Sequence, residues 1–237
     1  MTGWKVKRFW TEATVVPDGS SWHVLLDSRP LRTPAKAVLD LPTEEMARAI
    51  AAEWAEQGEE IDPLSMPVTR TANSAIDRVA TQHGEVAGML AAYAETDLLC
   101  HRAETPLRLN EQQAAAWDPL LDWAEHRFGA RLAPTTGILP VAQAEPALRL
   151  LSDTVHGMGA FQLTALHDLV SLSGSLILGL AVAEGRLDPA EGWRLSRIDE
   201  DWQIAQWGED EEAAEVAARK YSEFLHAKRF WTLSGRG

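Results

Sequence analysis

The sequence predicts an α+β protein in two parts, a small antiparallel β-rich domain over residues 1–84 and a larger all-helical domain over residues 85–237. The β part is predicted by two β-branched, aromatic-rich runs on either side of an Asp18-Gly19 turn. The helical part is predicted by a succession of caps and stops from Thr43 onward. A content of 46% apolar residues in a chain of 237 gives both parts enough material for a packed core.

The strand region opens the chain, over residues 4–41. Residues 10–16 and 22–27 flank the turn Pro17-Asp18-Gly19-Ser20 and read as a hairpin. A second turn is expected at Ser28-Arg29-Pro30, followed by short extended runs over 31–33 and 37–41. Thr43 then caps a helix that begins with two acids suited to its dipole and stops at Gly58. After an irregular link, a helix starting at Pro67 is predicted to reach Gln82, with another beyond Gly84.

Further along, Asn110 and Gln113 resemble a capping box for a helix running through Trp117 and Trp123 to Phe128, with Gly129 as its stop. Residues 130–142 read as a Pro/Thr/Gly loop with a short extended piece. Pro146 begins the next helix. Residues 161–184 read as helical with a break at 171–174, where small residues allow close backbone approach. Asp188-Pro189-Ala190-Glu191 combines a capping Asp, Pro in the first turn and a following acid, so a helix over 189–207 ending at Gly208 is expected. A last helix is expected over 210–230.

Charge and motifs restrict the function. Lys plus Arg number 22 and Asp plus Glu 35, for a net charge of −13, which repels phosphate backbones and argues against nucleic acid. The longest apolar stretch, residues 176–183, is far short of the roughly 20 residues that span a bilayer. Met1-Thr2-Gly3-Trp4-Lys5 has neither the apolar stretch nor the cleavage site of a signal peptide, and a single cysteine suits a reducing compartment, so a cytoplasmic location without membrane insertion is expected. No phosphate loop, nucleophile elbow or His spacing for zinc occurs, and no cofactor or metal is expected. The alternative to a binding protein is an enzyme of unknown class that uses Cys100, His101 or His167. Against it, Cys100 also reads as a buried small hydrophobe.

The ten tryptophans favour a binding protein, because Trp is enriched both in cores and at interface hot spots. In the 189–207 helix, Leu195, Ile198, Trp202 and Ala205 form the expected buried stripe. Trp193, Ser196, Glu200, Gln203 and Trp207 form a second stripe. There Glu200 lies between two aromatics, open either to a partner's cation or to Arg194 or Arg197 of its own chain.

Six segments stand in a fixed order from residue 7 to about 210. They are Lys7-Arg8-Phe9-Trp10, Leu25-Leu26-Asp27-Ser28-Arg29-Pro30-Leu31-Arg32-Thr33-Pro34, Ala51-Ala52-Glu53-Trp54, Asp97-Leu98-Leu99-Cys100-His101-Arg102, Trp117-Asp118-Pro119-Leu120-Leu121-Asp122-Trp123-Ala124, and Leu195-Ser196-Arg197-Ile198-Asp199-Glu200-Asp201-Trp202-Gln203-Ile204-Ala205-Gln206-Trp207-Gly208. Together they resemble the assembly chaperones of the F-type ATP synthase that attend the alpha subunit of its soluble catalytic head. The resemblance implies a non-enzymatic chaperone that binds unassembled alpha subunit, shields it from aggregation and yields it to the beta subunit. It also implies the same two-part architecture. A functional acidic residue in the last motif carries over to Glu200, with Asp199 beside it, and a functional tryptophan to Trp54. The first motif begins at residue 7 with no targeting extension before it, which suits a bacterial relative of the mitochondrial members.

Overall fold

The computed structural model describes residues 7–137 and 141–235. The expectations for residues 4–6 and for 138–140 of the loop lie outside the described residues.

Strands β1 (Ala13–Asp18) and β2 (Ser21–Leu26) form the hairpin the Asp-Gly turn demands, with Val15 opposite Val24 and Gly19 at φ 62°. The expected second turn lies one step earlier. Asp27 takes a left-handed φ of 54°, and Arg29–Pro30 continues as strand β3, paired with Leu26 and Leu25. The Asp27 carboxylate makes this possible by accepting the Thr11 and Glu12 N–H groups at 2.9 and 3.0 Å. Those bonds also hold its carboxyl below the usual carboxylate range. The runs after β3 fold back on the sheet through the Arg32–Val38 and Trp22–Leu41 bridges.

Helix α1 (Glu44–Ala55) starts at Thr43, whose hydroxyl oxygen accepts the Met46 N–H. It packs against β1 and β2, and Met46, Ala47 and Ile50 of the helix and Val24 and Leu26 of the sheet are buried. Helix α2 (Pro67–Ser74) follows. Glu53 on α1 caps it from a distance, accepting Val68 N–H at 2.7 Å, Thr69 N–H at 2.8 Å and the Thr69 hydroxyl at 2.7 Å. The helix expected to run to Gln82 does stay helical, but it loosens into a π turn over Ala75–Val79 and then tightens over Ala80–Gln82. The described residues up to Gln82, together with Gly159–Thr164 and the chain from Arg229, form one compact unit.

The second unit comprises His83–Met158 and Ala165–Lys228. It begins with α3 (His83–Ala92), passes a short strand β4 (His101–Arg102), and continues into α4 (Leu107–Phe128). Helix α4 starts earlier than the capping-box reading placed it. Asn110 and Gln113 are interior residues whose side chains reach back to the Ala103 carbonyl and N–H. Gly129, at φ 71°, stops α4 as expected. The extended piece in the following loop is β5 (Thr135–Thr136), parallel to β4.

Helices α5 (Glu145–His156), α6 (Ala160–Ser173) and α7 (Leu176–Ala183) follow. The break between α6 and α7 occurs at Gly174, φ 72°, and Ser175 caps α7. Every residue of α7 is buried. No helix among the described residues is long and apolar enough to cross a membrane. The long helix expected over 189–207 is two, α8 (Pro189–Ser196) and α9 (Ile198–Trp207), separated at Arg197, φ −114° and ψ 17°. Helix α10 (Glu211–Leu233) ends the described chain.

Gly192 shows how tightly α8 meets α7, since a Cβ there would lie 2.4 Å from Val182 Cγ2. Gly192→Ala is expected to lower stability by about 1–3 kcal/mol, although alanine favours helix by about 1 kcal/mol. Equilibrium urea unfolding checks the sign.

Candidate functional site

The kink at Arg197 decides which predicted residues share a surface. A continuous helix would have lined up Trp193, Ser196, Glu200, Gln203 and Trp207. Instead Trp193, on α8, turns toward Tyr221 and Phe224, with ring centroids at 6.0 and 5.8 Å. Ser196 is buried. The expected buried stripe is shorter as well. Leu195 and Ile198 are buried and Trp202 half-buried, but Ala205 is exposed.

On α9 itself, Glu200, Gln203, Ile204 and Trp207 follow i, i+3, i+4, i+7 spacing and form one exposed face. Trp207 is 81% exposed and Ile204 37%. Ile204 was missed at the sequence level, because it falls outside both of the predicted stripes. Acids rim this face: Asp201, Glu209 and Asp210 are all exposed.

The two arginines that could have neutralised Glu200 are occupied. Arg194 forms a two-point pair with Glu191, at 2.8 and 2.6 Å, which holds the Glu191 carboxyl below its ordinary range. Arg197 lies over the Trp193 ring, 5.4 Å from its centroid. Glu200 makes no ion pair among the described residues. It borders an open groove of about 450 Å³ floored by Ala213, Val216 and Ala217 of α10, with Lys220 at the edge.

Asp199, one residue away, turns inward. Its carboxylate accepts a 2.5 Å hydrogen bond from the Gln113 amide, whose oxygen in turn accepts the Ala103 N–H at 2.8 Å. Gln113 is 1% exposed, so Asp199 ties α9 to α4 from a half-buried position.

Beneath this strut lies Arg102, 6% exposed. Its Nε donates to the Leu99 carbonyl and its Nη2 to Asp118, both at 2.9 Å. The guanidinium sits 5.1 Å from the Trp117 ring centroid, and the Trp117 indole donates to the Leu195 carbonyl at 2.9 Å. Burial lowers the Arg102 pKa, and Asp118 opposes that shift. The role of Arg102 was not legible, because its charged partner, Asp118, lies 16 residues away on another element.

Trp54 belongs to the other unit. It packs on Trp10 with centroids 5.0 Å apart, beside the Glu53 cap of α2.

Of the residues of the enzyme alternative, His101 is half-buried at the start of β4, directly after Cys100. Cys100 is buried beside Asp97, and desolvation, with the Asp97 charge, pushes the thiol up to about 12. Asp97 is fully buried and accepts the Leu99 and Ile177 N–H groups at 3.0 Å, and its burial raises its own pKa. His167 Nδ1 lies 2.9 Å from Asp168, which raises the imidazole pKa, but no hydroxyl or thiol is hydrogen-bonded to His167 among the described residues. No group of three or more His, Cys, Asp or Glu able to hold a metal occurs among the described residues.

Native protein treated with iodoacetamide at pH 8 is expected to keep Cys100 unmodified, with reaction only after unfolding returns the thiol toward about 8.5. Rapid native-state alkylation, followed by mass, would contradict the buried assignment.

Comparison with known proteins gives a consistent result. The family described as ATP12 chaperone protein matches residues 7–125. Protein atp12, mitochondrial, of Schizosaccharomyces pombe is 25% identical over 222 residues, covering 89% of this chain and 76% of that protein. The crystal structure of Atp12 from Paracoccus denitrificans is 51% identical, with a TM-score of 0.95 over 98% of this chain and 99% of that one. A putative chaperone from Agrobacterium tumefaciens is 39% identical, with a TM-score of 0.90 over 97% and 86% of the two chains.

Proposed function

The chain belongs to the ATP12 chaperone family, and from that membership we propose that it is a non-enzymatic assembly chaperone of the F-type ATP synthase that holds the unassembled alpha subunit until the beta subunit replaces it. The observation that carries the reading is the exposed α9 face. A largely exposed tryptophan beside an exposed isoleucine, rimmed by exposed carboxylates, suits a partner with a mixed apolar and basic surface. An unassembled subunit exposes apolar interface of that kind, and a binder that competes for it lowers the free aggregating concentration by mass action.

In this reading Glu200, Gln203 and Trp207 contact the client directly. Asp199 positions α9 through Gln113. Trp193 and Trp54 act through packing, Trp193 between α8 and α10 and Trp54 within the first unit. The residues given no contact role are those whose side chains are already engaged within the chain.

An affinity pull-down from the source organism's lysate, with bound proteins identified by mass, tests the proposal. Enrichment of the ATP synthase alpha subunit free of beta is expected. Recovery of the intact catalytic head, or of no ATP synthase subunit, would overturn it.

A further inference from the structure

Helix α10 is anchored by its second half. Phe224, Ala227 and Phe230 are buried there, whereas no residue from Glu211 to Tyr221 is. Helix α9 is anchored at its opposite end, with Ile198 its one buried residue. The two helix ends that meet at Gly208-Glu209-Asp210 therefore stand outside the core, and every residue from Gln203 to Ala213 is exposed.

The groove of about 450 Å³ lies between these helices. Its floor is a helical stripe, Ala213, Val216 and Ala217, at i, i+3 and i+4 of α10. A helix of a globular protein ordinarily buries such a stripe in its own core. Here Ala213 is exposed and Val216 and Ala217 are half-buried. On α9, the face that reaches the groove at Glu200 continues with Ile204 one turn on and Trp207 two turns on.

The walls restrict the form of an occupant. They are helical, so their backbone groups are spent on their own turns, and the Asp210 carboxylate caps α10 by accepting the Ala213 N–H at 2.8 Å. An extended segment would bring unpaired main-chain groups onto an apolar floor with no strand edge to receive them. A helix satisfies its own backbone, and the small Ala213 and Ala217 side chains let its axis come close. The rim restricts the charge. Glu200, Asp210 and Glu212 line the groove against two cations, Arg197 and Lys220. Arg197 lies over the Trp193 ring, and Lys220 stands about 12 Å along α10 from Glu212. From Asp199 to Ala218 the chain carries eight acids and no Lys, Arg or His, so the surroundings favour a cationic segment and repel an acidic one.

We propose that this groove seats an amphipathic α-helix of the bound protein, its apolar stripe on Ala213, Val216 and Ala217 and its flanking Lys or Arg side chains against the acidic rim. The proposal rests on the reading that the chain holds an unassembled protein, and it adds the form and charge of the segment that is gripped.

The test uses three end-blocked peptides of equal length. Leu-Lys-Lys-Leu-Leu-Lys-Lys-Leu-Leu-Lys-Lys-Leu-Leu-Lys places leucine at helical spacing. A strictly alternating Leu-Lys peptide has the same composition and charge at strand spacing. The third keeps the helical spacing with Glu in place of Lys. Each is titrated into full-length protein labelled at its alanine and valine methyl groups and its indole nitrogens, and followed by NMR. The helical lysine peptide is expected to shift the Ala213, Val216 and Ala217 methyls and the Trp207 indole, and to bind about tenfold more tightly than either of the others. Ala213→Arg fills the floor from an exposed helical position that arginine suits, and is expected to keep a native melting curve while levelling the two lysine peptides. Equal binding of the two lysine peptides to the unaltered protein would reduce the effect to charge alone. Tighter binding of the alternating or the glutamate peptide, or shifts that leave the three methyl-bearing residues unmoved, would equally overturn the proposal.

The two readings fail separately. If the alpha subunit is not captured but the helical lysine peptide still binds in this groove, the groove stands and the client assignment falls. If the alpha subunit is captured equally by the unaltered protein and by Ala213→Arg, the groove falls and the client assignment stands.

Discussion

Glu200→Lys is expected to weaken capture of the alpha subunit by about tenfold or more, the equivalent of about 1.4 kcal/mol, while leaving the protein folded. Glu200 is exposed and makes no ion pair among the described residues, so reversing its charge breaks no internal pair. The cost to folding is confined to the helix dipole. Glu200 lies in the first turn of α9, where a cation replaces a favoured anion at about 0.3–1 kcal/mol. For a chain of this size that lowers the melting temperature by about 2–4 °C at most. Isothermal titration at two salt concentrations, with a melting curve for each variant, separates the effects. The binding defect should shrink as salt screens the exposed charges. An unchanged affinity with a native melting curve would remove Glu200 from the contact surface.

The largest structural effect is expected at Trp117. It is fully buried, its indole ties α4 to the α8 carbonyl of Leu195, and its ring covers the Arg102 guanidinium. Trp117→Ala is expected to lose about 3–5 kcal/mol, a large part of the 5–15 kcal/mol typical of a folded domain. It leaves a cavity, an unpaired carbonyl and a less well covered buried cation. Trp117→Phe keeps most of the bulk and forfeits mainly the hydrogen bond, so it should lose clearly less. Urea denaturation of the two variants checks the ordering. A loss as large for phenylalanine as for alanine would mean that the indole N–H, rather than packing on Arg102, holds these helices together.

The parts of this fold that could be read from the sequence are those whose determinants are local. Asp18-Gly19 makes its hairpin, Thr43 and Asp188 make their caps, and Gly129, Gly174 and Gly208 stop or break helices where positive φ is required. Two misreadings, the capping box and the second turn, share one cause, a polar side chain whose partner lies outside its own turn. Asn110 and Gln113 imitate a capping box but bond to Ala103, and Gln113 also reaches Asp199, 86 residues away. Asp27 shifts the second turn because Thr11 and Glu12 supply its donors. Glu53 caps a helix that starts 14 residues beyond it.

The candidate site divides in the same way. Periodicity alone put Gln203 and Trp207 on the face of Glu200, and the α9 helix keeps them there. The same periodicity carried Trp193 onto that face only by assuming a straight helix through Arg197. That kink has no local signal, since buried Ser196 and Ile198 flank it and Arg197 stacks on Trp193. The opposite orientations of Asp199 and Glu200, adjacent in an acidic run, became visible only through the Gln113 contact.

Mixing the purified chain with purified, unassembled alpha subunit and measuring the mass of the species by size-exclusion chromatography with light scattering tests the central claim most directly. The account predicts a defined complex of the two proteins, dispersed when purified beta subunit is added. Absence of a complex, or a complex that survives with beta bound alongside, would contradict it.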